Sequence, residues 1–206
     1  MTTEPSPGKG ERTRQALLAA AVARFGRDGY RSTSVATIAR VAHLSSTAAY
    51  PYFASKEALF VAAVDHDTAG VIDDGLMDLL NRDGAIAWLP SLLPSLMAAL
   101  ERHPLARRVL AGLEPDFTVR LLRIPSLASL RGVVAERIVS QQASGVVRAD
   151  VDPGEMADGL MTIVLSLLMT LVQTRSDPEV LAGRAVAVLH AALSPVVEPT
   201  SARPRR

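Results

Sequence analysis

The chain has 206 residues, enough for one well-filled core or for a small module joined to a larger one. It has no cysteine, which excludes disulfides, thiol nucleophiles and cysteine-based zinc sites. The net charge of +1 is unevenly spread: residues 1–60 hold 8 Lys+Arg against 4 Asp+Glu, whereas residues 61–195 hold 11 against 16. Such a division suggests a polyanion-binding head on an acidic body.

In chain order, residues 1–10 are polar and lack the apolar region of a signal segment, so a disordered N-terminal arm in a cytoplasmic protein is expected. No stretch alternates apolar and polar residues between tight turns, and helical periodicity prevails. The run "ERTRQALLAAAVARFGRDGY" places Leu17, Ala21 and Phe25 on one face and is expected to stop at Gly26 and Gly29. "TSVATIARVA" follows, with Thr33 or Ser34 as cap and Val35, Ile38 and Ala42 turned inward. A long helix should then run from about Lys56 towards Leu80, weakened in its later turns by Gly70 and Gly75.

Beyond it the prolines punctuate. Helices are expected at about 85–102, 104–112, 115–124, 126–144, 153–174 and 178–194, with Pro90 and Pro94 kinking the first and a disordered tail from 196. The longest strongly apolar run, residues 159–172, is 14 residues, short for a bilayer span. The fold class is therefore all-α with about nine helices. The division is a 1–10 arm, an 11–55 head, a 56–195 body and a 196–206 tail.

The segment 35–50 carries the functional signal. With Val35 as position one of a helix-turn-helix, Ala39 is the small residue at the crossing, and Ile38, Ala42 and Leu44 fill the apolar positions. Ser45 can cap a second helix through Tyr50, whose leading Ser46 and Thr47 suit base edges in a major groove. "TSVATIARVAHLSSTAAYPYFASKEALF" resembles the DNA-binding segment of the TetR family of transcriptional regulators, and the resemblance covers residues 12–60. "GVVRADVDP" at 145–153 is similar to the linker before that family's two dimer helices.

The resemblance implies that Thr33 and Ser34 cap the second helix and touch backbone phosphate, with Thr37 as a further phosphate contact. It places Ser45, Ser46 and Thr47 in the major groove and has Tyr50 and Tyr52 donate to phosphates. Lys56 neutralises another phosphate, with Lys9, Arg12 and Arg14 as a flexible basic arm. The other reading of Tyr50, Tyr52 and Phe53 is that they seal the head's small core, and Lys56 can be an ordinary helix-start lysine. Two residues depart from the family pattern. His43 stands where glycine is usual, at a turn position tending to positive φ, a region histidine tolerates better than most. Pro51 lacks an N–H for the carbonyl of Thr47, and is expected to shorten the recognition helix at its last turn.

In the body, the helix at 153–174 is apolar nearly all round and needs burial on two sides. One side suits the chain's own core and the other a second copy, giving a homodimer through helices at about 153–174 and 178–194 that reads a palindromic operator. A large monomeric core is the competing reading. The resemblance implies an effector pocket in the body. Trp88, Leu92, Leu96, Met97, Leu110, Leu113, Phe117, Leu121, Leu122, Met161 and Leu165 are candidates to line it, or else are plain core.

Arg107, Arg108, Arg120 and Arg123 could meet an anionic ligand or sit on the surface. No catalytic motif occurs and no cofactor is expected. "DHD" at 65–67 with Asp73 and Asp74 points to several helix faces, which suggests solvated carboxylates rather than a metal site. The expected function is a ligand-responsive DNA-binding regulator, most simply a repressor released by a small, largely apolar effector. The alternative is a helical small-molecule-binding or interaction protein whose DNA binding His43 and Pro51 have weakened.

Overall fold

The computed structural model describes residues 8–80, 89–118, 120–174 and 176–194; Trp88 and the tail from 196 lie outside the described residues. Nine α-helices and no strand occur among them. The first three are α1 (Lys9–Ser32), α2 (Val35–Val41) and α3 (Lys56–Ile72). α3 continues through a π-helical turn, Asp73–Met77, and one more turn, Asp78–Leu80, so the long helix to Leu80 is present with a bulge in it. The others are α4 (Leu89–Leu100), α5 (Pro104–Leu110), α6 (Pro115–Thr118), α7 (Pro125–Ala143), α8 (Pro153–Thr174) and α9 (Pro178–Leu193).

The prolines act mainly as starts. α5 to α9 each open on one, where the missing N–H costs nothing because the first-turn donors have no intrahelical partner. Pro94 is the exception and lies inside α4. The segment expected as one helix over 115–124 is split into α6 and a 3₁₀ turn, Leu121–Arg123.

α1 differs from expectation at both ends. It begins at Lys9, so Lys9, Arg12 and Arg14 lie on a helix rather than on a flexible arm. It also runs through Gly26 and breaks only at Gly29, whose φ of 81° and ψ of 168° suit a residue without Cβ. Leu17, Leu18, Ala21 and Phe25 of α1 pack with Ile38 and Ala39 of α2 and with Leu59 and Phe60 of α3, closing the head. An aromatic cluster of Phe25, Tyr30, Phe60 and Phe117 then joins the head to the body, with the Phe60 and Phe117 centroids 4.2 Å apart.

Behind the head, α3 packs on α5 and α7, and α4 lies along α9 while α7 lies along α8. The 145–153 connection folds back: Arg148 N donates to Leu193 O at 3.0 Å, and Gln142 Nε2 donates to the carbonyls of Arg148 and Val151. By length and composition α8, at 22 residues, could cross a membrane, and 17% of its most apolar window is buried within the subunit. On one exposed side of α8, Thr162, Ser166, Thr170 and Thr174 each donate to the carbonyl four residues back, at 2.8, 2.8, 2.9 and 2.6 Å.

Candidate functional site

The head presents the turn the sequence calls for. Ser34 caps α2: Thr37 N donates to its Oγ at 3.1 Å, and the two hydroxyls lie 2.9 Å apart. Thr33 does not share that role. It is 2% exposed and its hydroxyl donates to Gly29 O at 2.8 Å, so it locks the end of α1 and offers nothing to a phosphate. The turn after α2 passes through His43, whose φ is 57°, the left-handed conformation that glycine adopts most easily.

Residues 46–52 form successive turns rather than an α-helix. Three donors reach back three residues, Ala48 N to Ser45 O at 3.0 Å, Tyr50 N to Thr47 O at 3.4 Å and Tyr52 N to Ala49 O at 3.1 Å, and the segment closes on a four-residue bond from Phe53 N to Ala49 O at 3.0 Å. Pro51 supplies the reason. It has no N–H for Thr47 O, and that carbonyl is taken weakly by Tyr50 instead. The effect therefore reaches further than a lost last turn. Ser45 does not cap by its side chain: its Oγ lies 3.4 Å from the Thr47 hydroxyl.

Ala49 and Phe53 are buried and anchor this segment, leaving Ser45, Ser46, Thr47 and Tyr50 on its outer side. Tyr50 is 56% exposed, whereas Tyr52 packs partly on the core. Lys56 has internal partners: its Nζ is 4.4 Å from the Tyr30 ring centre and 3.4 Å from Arg31 O. A ring face and a carbonyl thus offset the cost of a cation at the start of α3.

The body contains a cavity of about 130 Å³. Leu92, Leu96, Leu110, Leu121, Met161 and Leu165 line it, as do Leu189 and Leu193 of α9. Three candidates are placed elsewhere. Leu113 is 57% exposed, Phe117 is in the aromatic cluster beside the head, and Met97 packs against the core without reaching the cavity wall.

Sequence reading also missed two walls. One is α3 and its bulge, through Thr68, Val71, Ile72 and Leu76; the other is α7, through Leu127, Leu130, Val134, Arg137, Ile138 and Gln141. The spacing of 68, 71, 72 and 76 along one helix face was the available signal. The arginines considered for an anion are mostly engaged in ion pairs, Arg107 with Glu101, Arg108 with Glu114 and Arg120 with Glu57, and Arg123 is exposed.

The carboxylates of "DHD" have structural work, which corrects their reading as solvated. Asp67 is 4% exposed; its Oδ2 accepts Leu105 N at 2.9 Å and Ala106 N at 2.8 Å, capping α5 from outside. Asp65 accepts Ser126 N at 2.8 Å and does the same for α7. His103 Nδ1 lies 2.9 Å from Asp67 Oδ1 and its Nε2 3.3 Å from Asp74 Oδ2. Arg102 completes the group, and its hydrogen bonds to Asp74, followed by that of His103, hold the Asp74 carboxyl below the usual carboxylate range. Thus α3 carries the head at one end and, along its length, grips two helices that wall the cavity. No metal-binding cluster of His, Asp and Glu occurs among the described residues.

Residues 17–63, which contain α2, the His43 turn and the start of α3, match the family model for the N-terminal segment of bacterial regulatory proteins of the tetR family. The DNA-binding transcriptional repressor TetR of Mycobacteroides abscessus is 36% identical over 105 residues, a match spanning 45% of this chain and about half, 55%, of that protein. The fold is shared with FadR of Thermus thermophilus, solved with lauroyl-CoA (TM-score 0.65, 21% identity, 93% of this chain and 100% of that one). It is shared as well with FadR of Bacillus subtilis, solved with stearoyl-CoA (TM-score 0.66, 17% identity, 87% and 98%). The matching segment makes the head that of the tetR family of bacterial regulatory proteins, and the chain as a whole shares its fold with these structures.

Proposed function

We propose that the protein is a homodimeric, cytoplasmic repressor that leaves a palindromic operator when a small, largely apolar effector enters the body. One observation carries this reading. The cavity is walled by α3, which holds the head, and by α8 and α9, whose outer faces are apolar and exposed at Ile163, Val180 and Val188. An effector there touches both the lever of the DNA reader and the helices proposed to pair two subunits. Asp65 and Asp67 give the coupling a physical path, since any shift of α5 or α7 pulls on α3 through their capped N-termini. A coupling of about 1–3 kcal/mol changes operator affinity 5–150-fold.

In this reading Ser45, Ser46 and Thr47 face base edges. Ser34, Thr37, Tyr50 and Tyr52 meet phosphates, and Lys56 lends a free N–H to another phosphate. Hydroxyls at the base edges give modest direct readout, supplemented by DNA shape. A second reading has one observation in its favour: the reading segment is a run of turns, which favours a helical ligand-binding protein with weakened DNA affinity.

Fluorescence anisotropy over a salt series decides between them, using DNA from upstream of the protein's own gene and a Tyr50→Phe, Lys56→Ala double variant. A repressor gives tight binding to one palindrome, a log–log salt slope of about −0.9 per phosphate contact, and a shallower slope in the variant. Weak binding insensitive to sequence and to both substitutions supports the second reading.

A further inference from the structure

Glu114, in the turn between α5 and α6, is a charged side chain buried to 7% exposure where the body meets the head. Its Oε1 accepts from Tyr30 N at 3.0 Å and from Arg108 Nε at 2.7 Å. A carboxylate is costly to bury even when paired, so the bonds it makes must serve the fold or the work of the protein.

The group it holds is a joint. α1 breaks at Gly29, where φ is 81° and ψ 168°, and the next amide, Tyr30 N, is the one that donates to Glu114. Gly29 also permits the close approach, since a Cβ there would lie 2.5 Å from Arg108 Nη2 and 2.9 Å from Glu114 Oε1. Thr33 then donates to Gly29 O and Ser34 caps α2, so residues 29–34 decide the direction in which the helix-turn-helix sets out. The turn holds Tyr30 a second time through its ring, with the Phe117 centroid 5.0 Å away.

The remaining attachments are of another kind. α3 and the packing of α1 on α5 join head to body along helix faces, and packed helices slide by small amounts. A charge-assisted hydrogen bond to a backbone amide fixes direction as well as distance. α5, which carries Arg108, also lines the cavity through Ala106 and Leu110, and Gln173 of α8 donates to Leu110 O at 3.0 Å. The clamp thus stands on a wall shared with the rest of the body.

We infer that Glu114 is a positioning residue for the DNA reader: with Arg108 it fixes the joint at Gly29 and Tyr30, and so sets the angle at which the body presents α2 and the reading segment. The assignment rests on reading the head as one of two DNA readers in a dimer; Glu114 itself acts through Tyr30 and touches no DNA.

Two variants of the full chain test it, Glu114→Leu with Arg108→Met and Glu114→Gln with Arg108→Met. Both remove the charges, a replacement that buried ion pairs commonly tolerate, but only glutamine keeps an oxygen for Tyr30 N. Amide hydrogen exchange across residues 30–37 is at least about fivefold faster in the leucine variant than in the glutamine variant, the effect of one buried donor left unpaired, with α8 and α9 alike in both. Fluorescence anisotropy then compares the palindrome upstream of the protein's own gene with the same duplex carrying one extra central base pair, which turns one half-site by about 35°. Wild type and the glutamine variant prefer the uninterrupted palindrome at least about tenfold; in the leucine variant the preference falls to about threefold or less, because a loosened joint accommodates both spacings.

A merely structural Glu114 lowers the folded fraction, which weakens both duplexes alike and speeds exchange everywhere. That result overturns the inference, as does equal exchange across residues 30–37 in the two variants. A fold lost in either variant assigns Glu114 to stability and has the same force, and so has a preference unchanged once the joint has loosened. Wild type that binds no palindrome sinks the regulator reading instead, while the exchange comparison still decides whether Glu114 holds the joint.

Discussion

Asp67 Oδ1 lies 2.9 Å from His103 Nδ1, and the same carboxylate caps the helix that His103 precedes. His103 makes no side-chain cap of its own. One aspartate from the head-bearing helix therefore supplies what the loop before α5 lacks. Removing it leaves two buried N–H donors and a displaced imidazole. Asp67→Ala is expected to cost about 2–4 kcal/mol in urea unfolding, the sum of a lost cap and buried donors left unpaired. A loss under about 0.5 kcal/mol would show that water replaces the carboxylate and that α5 is not clamped to α3.

Gly70 belongs to the same junction. A Cβ there would come within 2.3 Å of His103 Cε1, on a ring already held at both nitrogens. The residue expected to weaken the helix is instead what lets the ring approach. Gly70→Ala gains helix propensity of about 1 kcal/mol, yet is expected to lower the Tm because the ring must move. An unchanged or raised Tm would show that the ring yields freely.

The junction also titrates. Asp74 has its carboxyl pKa lowered, chiefly by Arg102, so its contribution to stability is present above the ordinary carboxylate range and is lost as pH falls through the folded-state value. Urea unfolding from pH 6 to pH 3 should show wild type more stable than Asp74→Asn at the upper end, with the gap closing on acidification. A gap that persists at the acid end would assign the difference to packing rather than charge.

Thr33 and Ser34 are adjacent hydroxyl residues with different work. Thr33→Val is expected to destabilise by about 1 kcal/mol and to leave the salt slope of DNA binding unchanged, because its hydroxyl is spent on Gly29 O. Ser34→Ala costs a similar amount through the lost cap, and in the proposed interface it weakens DNA binding as well. Equal effects of both substitutions on the salt slope would contradict this separation.

Much of the local structure was readable from the chain alone because it depends on neighbours in sequence. The positive φ at residue 43 is what the family resemblance implies, since glycine is usual at that turn position, and the starts at Pro104, Pro115, Pro125, Pro153 and Pro178 follow from what proline lacks. Misreadings arose where a partner sits far along the chain. Phe117 has the spacing of a pocket residue, but the aromatic rings of Tyr30 and Phe60, 87 and 57 positions away, claim it. Asp67 reads as solvated until Leu105 and Ala106 are seen to donate to it. Pro51 reads as the loss of one bond at the last turn; in the structure residues 46–52 form turns throughout, because so short a stretch does not re-nucleate an α-helix once interrupted.

The threonine and serine ladder of α8 bears on how the two ends of the molecule respond to solvent. Each hydroxyl already has its acceptor within the helix, so covering that face strips water from few unmet donors. An association built there draws on apolar contact, which weakens on cooling and is nearly blind to ionic strength. The proposed hold of the head on DNA behaves oppositely and is dissolved by salt. In the proposed dimer, salt would thus strip the protein from DNA as an intact pair, and cold would loosen the pair first.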